Sequence, residues 1–203
     1  MPTLLTYIRL NTLFTLLLSL TMLLFSLAGA DVESILEFNR SEIDSGEYWR
    51  LFSGNLVHYG NAHLVMNLAA FLLIGLSLLR DLSAKNYILL FMFCALCVCI
   101  GVLWGNPELL FYRGFSGVLH GLIIAGLFFN RWRHPSLTWL FIGLVFAKII
   151  YEHTPSFEEN QLQAMLPVAV AVDAHMYGAF AGIFYCLFYS LRQKINYLSH
   201  KKK

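Results

Sequence analysis

The feature that most constrains this chain is a set of six runs of apolar residues, most of them as long as a membrane-spanning helix. The runs cover residues 11–30, 62–80, 86–105, 116–130, 136–151 and 167–190. Crossing the hydrocarbon core of a bilayer takes about 20 helical residues, and five runs come near that length. Only 13% of the 203 residues are charged, whereas a soluble domain carries about 25%. The sequence therefore predicts an all-α polytopic membrane protein with six transmembrane helices, and residues 1–203 form a single domain.

The basic residues predict how these helices are oriented. One side of the predicted bundle holds ten of the fourteen Lys and Arg residues, namely Arg9, Arg80, Lys85, Arg131, Arg133, Arg192, Lys194, Lys201, Lys202 and Lys203. Because cytoplasmic connections are rich in Lys and Arg, we expect both termini in the cytoplasm. The net charge of only +2 gives no reason to expect a nucleic-acid partner.

The first run has an alternative interpretation as a signal peptide. It follows Arg9 and ends at Ala28-Gly29-Ala30, which resembles a cleavage site. The apolar region of a signal peptide usually covers about 7–15 residues. The first run is longer than that, so we favour a retained first helix.

The fourth run is too short to cross a bilayer. From Ser116 to Asn130 there are about 15 residues, or about 22 Å of helix, whereas the hydrocarbon core is about 30 Å thick. If this helix ends at the cytoplasmic Arg131, its other end lies below the outer surface, and the preceding loop 105–115 enters the membrane. Such backbone is tolerated beside a water-filled cavity. We therefore expect a short, submerged fourth helix with Ser116 in a cavity that opens toward the periplasm.

Ser116 is the candidate nucleophile, because polar side chains inside a membrane are costly and tend to be functional. Gly114 and Gly117 flank it, and backbone N–H groups at the beginning of a helix suit a developing oxyanion. A serine nucleophile needs a base. His175 in the sixth run is the candidate for that base.

Small residues predict that the fourth and sixth helices pack closely. The sixth run carries Gly178-xxx-Gly182 and the fourth carries Gly117-xxx-Gly121, a spacing that lets helix backbones approach in membranes. Ser116 and His175 lie on these same faces. We therefore expect their side chains to come within hydrogen-bond reach.

Asp173 is a poor candidate for a third catalytic residue. It precedes His175 by two residues, which places it about 200° around the helix. We therefore expect a Ser–His dyad, and we expect Asp173 to anchor the outer end of the last helix.

Four other polar residues have candidate roles. His63 and Asn67 share a helix face at i, i+4 spacing, and both side chains can donate hydrogen bonds to an oxyanion. Lys148 and Glu152 have the same spacing, so we expect an ion pair near the outer membrane edge, with substrate-carboxylate binding or gating of the fifth helix as the alternative.

His120 has two candidate roles. It follows Ser116 by one helical turn, and helix side chains lean toward the N-terminus, so it could reach back to Ser116 as the base. The alternative, which we favour, is that it packs beneath His175 and orients that ring.

These residues resemble the three signatures of the rhomboid intramembrane proteases. The matching segments are His63-xxx-Asn67, Gly114-x-Ser116-Gly117 and Ala174-His175-xx-Gly178-xxx-Gly182, together with the first-loop pair Trp49-Arg50 and the additional His58. The resemblance covers about residues 45 to 185. It implies a six-helix bundle in a bacterial inner membrane, with no metal or cofactor. It also implies that Ser116 is the nucleophile, that His175 is the base, and that His63 and Asn67 bind the oxyanion.

The sequence departs from common rhomboids at position 120, where they usually carry tyrosine. His120, the segment Arg113–Gly121, Lys148-xxx-Glu152 and the segment Val172–Gly178 are similar to the rhombosortase branch. That resemblance implies that the substrates are exported proteins with a C-terminal GlyGly-CTERM tail, which consists of a Gly-Gly motif, an apolar helix and a basic end. The alternative is a general rhomboid that cleaves other single-span membrane proteins.

Other classes of protein are weaker explanations of these residues. Ser116 on its own is typical of a helix N-cap, but that interpretation leaves the accompanying glycines and histidines unexplained. A haem protein would use intramembrane histidines, and it too leaves the Gly-x-Ser-Gly segment unexplained. An inactive rhomboid-like protein that binds membrane clients usually lacks the serine or the histidine. The cysteines, all within apolar runs, are expected to act as small apolar side chains; they are Cys94, Cys97, Cys99 and Cys186.

Overall fold

The structure, a computed structural model, describes residues 10–158 and 171–201. The predicted cytoplasmic residues Arg9, Lys202 and Lys203, and residues 167–170 of the sixth apolar run, lie outside the described residues. The helices of the described part are α1 (Leu10–Leu27), α2 (Ala30–Leu36), α3 (Arg40–Asp44), α4 (Arg50–Ser53), α5 (Asn61–Ser77), α6 (Ala84–Gly105), α7 (Ser116–Asn130), α8 (Pro135–Glu152), α9 (Pro155–Glu158) and α10 (Val172–His200).

Several of these helices can cross a membrane. Among the described residues, α1, α6, α8 and α10 are long and apolar enough, and α5 makes a fifth span if it is joined to Arg50–Leu56, from which it is bent by 92°. The helix α7 is apolar but shorter, at 15 residues. A mostly helical chain with these helices fits a multi-pass membrane protein.

Many large apolar side chains face outward from the bundle. Leu73, Trp139, Ile150 and Phe188 are each more than half exposed. In water such a surface would drive aggregation, whereas in a bilayer it contacts lipid chains. This outward distribution supports the interpretation of the bundle as a membrane protein.

The helix α7 lies against α10 at the two pairs of glycines. A Cβ atom on Gly178 would overlap the carbonyl oxygen of Gly117, and one on Gly182 would lie 2.5 Å from the carbonyl oxygen of Gly121. The two backbones are therefore in direct contact. This contact brings the first turn of α7 beside the first turn of α10.

Polar side chains tie α1 to the rest of the bundle. The Asn11 amide donates to the carbonyl oxygen of Leu79 at 2.9 Å, and the hydroxyl groups of Thr15 and Tyr87 are 3.1 Å apart. All of these groups are buried. Since an unpaired polar group costs more in lipid than in water, these bonds fix the position of α1 against α6 and the connection that precedes it.

The connection between α1 and α5 is folded, and it supplies one of the two short strands that depart from an all-helical chain among the described residues. After α2, strand β1 (Phe38–Asn39) pairs antiparallel with strand β2 (Phe111–Tyr112). A 3₁₀ turn, Gly54–Leu56, follows α4. The all-α prediction missed this ladder, because two-residue strands have no periodicity that a sequence could reveal.

Trp49 and Arg50 hold this connection together. The Arg50 guanidinium donates to the carbonyl oxygens of Ser34 at 2.8 Å and Glu37 at 3.0 Å. The Trp49 indole N–H donates to the carbonyl oxygen of Ile35 at 3.4 Å. Both side chains therefore satisfy the carbonyl groups at the end of α2, which is a structural role.

Arg113 joins the same region to the loop that precedes α7. Its guanidinium forms ion pairs with Glu33 at 2.9 Å and with Glu37 at 2.8 Å. All three side chains are largely buried. The loop before Ser116 is thereby held against α2.

Candidate active site

Ser116 is the first residue of α7, at the end of a loop with a special backbone conformation. Gly114 has φ +145°, and a Cβ atom there would lie 2.8 Å from Cε1 of His63, so only glycine fits. The Gly114 N–H donates to the carbonyl oxygen of Gly54 at 3.1 Å, and its own carbonyl oxygen accepts from the Tyr112 hydroxyl at 2.7 Å. These contacts fix the position of Ser116.

The Ser116 hydroxyl is hydrogen-bonded to His175. The distance from Ser116 Oγ to His175 Nε2 is 2.8 Å, and His175 is buried in the first turn of α10. A neutral imidazole accepts at one nitrogen and donates at the other. If Nε2 accepts the hydroxyl hydrogen of Ser116, Nδ1 must carry the ring proton and needs an acceptor.

Glu152 supplies that acceptor. Its Oε2 accepts from His175 Nδ1 at 2.7 Å, and both side chains are only 5% exposed. Where the sequence predicted a Ser–His dyad, the structure brings together a hydroxyl, an imidazole and a carboxylate in one line. Glu152 was expected in an ion pair at the membrane edge, with substrate-carboxylate binding or gating as the alternative, and its contact with His175 was missed.

The ion pair that the spacing of Lys148 and Glu152 predicted is present, and it lies at this site. The Lys148 ammonium donates to Oε1 of Glu152, the oxygen that His175 does not use. It also lies 3.3 Å from Nε2 of His120. The Lys148 side chain is 50% exposed, so the pair runs from the surface to the buried His175.

His120 packs beneath His175, as one of the two predicted roles requires. The two rings are stacked with centroids 4.2 Å apart and planes 20° apart. Since the Lys148 ammonium only donates, Nε2 of His120 accepts, and Nδ1 donates to the carbonyl oxygen of Ser116 at 2.7 Å. Both ring nitrogens are thus directed away from the Ser116 hydroxyl, and this geometry favours the orienting role over the role of base.

His120, Glu152 and His175 have the side-chain types that bind metals. One nitrogen or oxygen atom from each lies within 4.8 Å of the others. However, the Lys148 ammonium contacts two of the three residues. A metal ion would have to displace the Lys148 ammonium, which already balances the charge of Glu152.

His63 and Asn67 lie along the face of α5 that meets the beginning of α7. The His63 ring lies against Gly114. One turn beyond Asn67, the Phe71 ring packs edge-on against the Phe115 ring, with centroids 4.9 Å apart. Asn67 is buried, and its amide nitrogen has no hydrogen-bond partner among the described residues. Leaving a buried donor unpaired costs about 1–3 kcal/mol, which makes this amide a candidate for binding a charged oxygen.

The chain was also compared with known proteins. Residues 45–192 match the Rhomboid domain family. The chain belongs to the rhomboid family. A relative from Bacillus subtilis (strain 168), named "Putative rhomboid protease YdcA", is 26% identical over 184 residues, which cover 87% of this chain and 88% of the relative.

In this rhomboid-family chain, Asp173 ties the N-terminal end of α10 to neighbouring helices. Its carboxylate accepts from the Asn106 amide at 2.5 Å and from His153 Nε2 at 2.9 Å. Asn106 follows α6 and His153 follows α8. One carboxylate therefore connects the ends of three helices, and it does so away from His175.

His58 is a second buried histidine near the candidate site. Its ring packs edge-on against His63 with centroids 5.1 Å apart. The two rings are therefore in direct contact. Neither ring nitrogen of His58 has a hydrogen-bond partner among the residues that the structure describes.

Proposed function

We propose that this chain is an intramembrane serine protease, with Ser116 as nucleophile and His175 as general base. The observation that carries the proposal is the 2.8 Å hydrogen bond between Ser116 Oγ and His175 Nε2 at the beginning of a short apolar helix. Membership of the rhomboid family supports it, as does similarity to a relative described as a rhomboid protease.

The reaction follows from the direction of the hydrogen bonds. His175 Nε2 takes the hydroxyl proton while Ser116 Oγ forms a bond to the scissile carbonyl carbon. The oxyanion accepts hydrogen bonds from His63, Asn67 and nearby backbone N–H groups at the beginning of α7. The tetrahedral intermediate then releases the amine, which takes the proton from His175 and leaves an acyl-enzyme. Water or an amine attacks the acyl-enzyme, so the outcome is either hydrolysis or transfer to an anchoring nucleophile.

The architecture in the membrane is part of the proposal. We place six spans in a bacterial inner membrane, with both termini in the cytoplasm and the active site open to the periplasm. The support is the distribution of Lys and Arg and the length of α7, whose 15 residues cover about 22 Å. In this arrangement Ser116 lies below the outer surface, where a cavity can hold the water that hydrolysis needs.

For the substrate, we propose exported proteins that carry a C-terminal GlyGly-CTERM tail. The support is the similarity of Arg113–Gly121, Lys148-xxx-Glu152 and Val172–Gly178 to rhombosortases. The second candidate is general cleavage of single-span membrane proteins, which family membership alone supports.

The test is co-expression with an exported reporter that ends in the Gly-Gly motif, apolar helix and basic tail. The wild type should shorten the reporter, and Ser116→Ala and His175→Ala should not. A reporter with Gly-Gly changed to Leu-Leu separates the two substrate classes, because a general rhomboid should still cleave it. Binding of the reporter without cleavage by the wild type would favour an inactive client-binding protein instead.

A further inference from the structure

We infer that Glu152 is the third member of a Ser–His–Glu triad, with Lys148 as its counter-ion. This inference rests on the proposed function of Ser116 and His175 and deepens it. Glu152 acts through His175, so it is a positioning residue and does not touch the substrate. Neither the spacing of the motifs nor the family comparison assigns this role.

The geometry around His175 carries the inference. The two nitrogens of the His175 imidazole are hydrogen-bonded to different side chains. Nε2 lies 2.8 Å from Ser116 Oγ, and Nδ1 lies 2.7 Å from Glu152 Oε2. The carboxylate therefore holds the ring proton on Nδ1 and leaves Nε2 free to accept the proton of Ser116. This is the tautomer that a general base needs, and it is the arrangement found in serine protease triads.

The charge of Glu152 has a second effect during the reaction. When His175 takes the proton of Ser116, the imidazole becomes positively charged inside a buried site. A carboxylate at hydrogen-bond distance stabilises that charge without taking the proton itself. This contribution disappears if the side chain is made neutral, even when its shape is kept.

Lys148 explains how a buried carboxylate stays charged. An isolated carboxylate in an apolar surrounding tends to become protonated. The Lys148 ammonium contacts Oε1, so each oxygen of Glu152 has a donor. Glu152 is at hydrogen-bond distance from His175, whereas Lys148 contacts the other oxygen of the carboxylate. Lys148 therefore opposes the imidazolium less than Glu152 favours it.

Stacking adds a constraint from the other side of the ring. His120 lies parallel to His175 and is itself held by Lys148 and by the carbonyl oxygen of Ser116. Lys148 therefore connects the carboxylate and the stacked ring. The His175 imidazole is fixed both in its plane and against rotation.

The experiment measures how fast a fluorophosphonate probe labels Ser116 in detergent micelles as a function of pH. Labelling forms an Oγ–P bond, breaks the P–F bond and passes the Ser116 proton to His175. The variants are Glu152→Gln, Glu152→Asp, Ser116→Ala and the matched control Asp173→Asn, which removes a carboxylate that contacts a different histidine. Thermal melting of each variant shows whether it is folded.

We expect Glu152→Gln to label at least about 10²-fold more slowly at neutral pH. The acid limb of its pH–rate profile should move to lower pH, because the imidazolium is no longer stabilised. Glu152→Asp should label more slowly, with the acid limb at the same pH as in the wild type. Asp173→Asn should match the wild type in both the labelling rate and the pH of the acid limb. A purely structural role for Glu152 would lower the amount of folded protein without moving the limb.

Two results would count against these ideas in different ways. If Glu152→Gln labels like the wild type with an unmoved limb, the triad is wrong while the Ser116–His175 mechanism stands. If the wild type labels no faster than Ser116→Ala, the proposed protease function itself is wrong. Should Glu152→Gln be unstable, the double variant Lys148→Met with Glu152→Gln removes the unpaired ammonium and allows the same comparison.

Discussion

Gly178 of α10 lies so close to the carbonyl oxygen of Gly117 in α7 that there is no space for a methyl group between the two helices. This backbone contact sets the separation of α7 and α10, and therefore the distance between Ser116 and His175. Displacing the backbones by a fraction of an ångström would lengthen the Ser116–His175 hydrogen bond. The geometry of the candidate site thus depends on a glycine that contributes no polar side chain to it.

The first prediction concerns this contact. Gly178→Ala should lower both thermal stability and cleavage, because overpacking a tight interior costs about 1–3 kcal/mol and the obstacle here is backbone. The matched control is Gly143→Ala in α8, where a Cβ atom meets nothing within 4 Å. That control should be neutral or slightly stabilising, since alanine favours helix. Equal melting temperatures and equal cleavage by both variants would disprove the role of the contact.

The second prediction separates the two roles of His120. His120→Tyr keeps an aromatic ring beneath His175 and should retain cleavage within about tenfold of the wild type, whereas losing a general base costs about 10²–10⁴-fold. His120→Ala removes the stacked ring and should reduce cleavage more than His120→Tyr does. Cleavage by the two variants can be compared on one reporter. Equally inactive variants would support His120 as the base.

The third prediction concerns the unpaired amide of Asn67. Asn67→Ala should reduce kcat by about 10²–10³-fold, the usual cost of removing one oxyanion donor. Its KM should change little, because the donor acts on a charge that develops during the reaction. Its melting temperature should not fall much, since the amide nitrogen has no partner among the described residues to lose. A large loss of stability with an unchanged kcat per folded molecule would indicate a structural role.

The fourth prediction concerns pH and the bond between His153 and Asp173. The backbone carbonyl of Ile149 and the carboxylate of Asp173 raise the pKa of the His153 imidazole above its ordinary value of 6.5. A raised pKa means that the bond stabilises the fold fully below pH 6.5 and that this contribution is lost as pH rises through the folded pKa. The melting temperature should therefore fall over that range. The effect should be small, because the pair is partly exposed.

Asp173→Asn is the control for this pH effect. It should have a lower melting temperature than the wild type at acidic pH and a flatter dependence on pH. A slope identical to that of the wild type would show that another group causes the dependence.

The sequence predicted the helices well because their signal is local. The apolar runs predicted at 86–105 and 136–151 correspond to α6 (Ala84–Gly105) and α8 (Pro135–Glu152). The run at 116–130 has the same bounds as α7. Hydrophobic side chains must avoid water wherever the chain folds, so this pattern is readable without knowing the neighbours of each helix.

The sequence also placed Ser116 and His175 together, because the two glycine pairs predicted which helix faces would meet. It did not place Glu152 against His175. The two residues are on different helices, 23 positions apart, and their contact depends on how α8 is rotated against α10. The available signal was an ionisable residue at the end of an apolar run, and an ion pair with Lys148 accounted for it equally well.

What the sequence determined by itself is therefore the position of the apolar helices and the identity of the polar residues among them. Only the tertiary structure decided that His175 has a carboxylate behind it, which of its two predicted positions His120 takes, and which helices Asp173 joins to α10. The physical reason is one of range. Burial of apolar side chains is dictated residue by residue, whereas hydrogen bonds between helices depend on rotations and displacements of a few ångströms that only the packed bundle specifies.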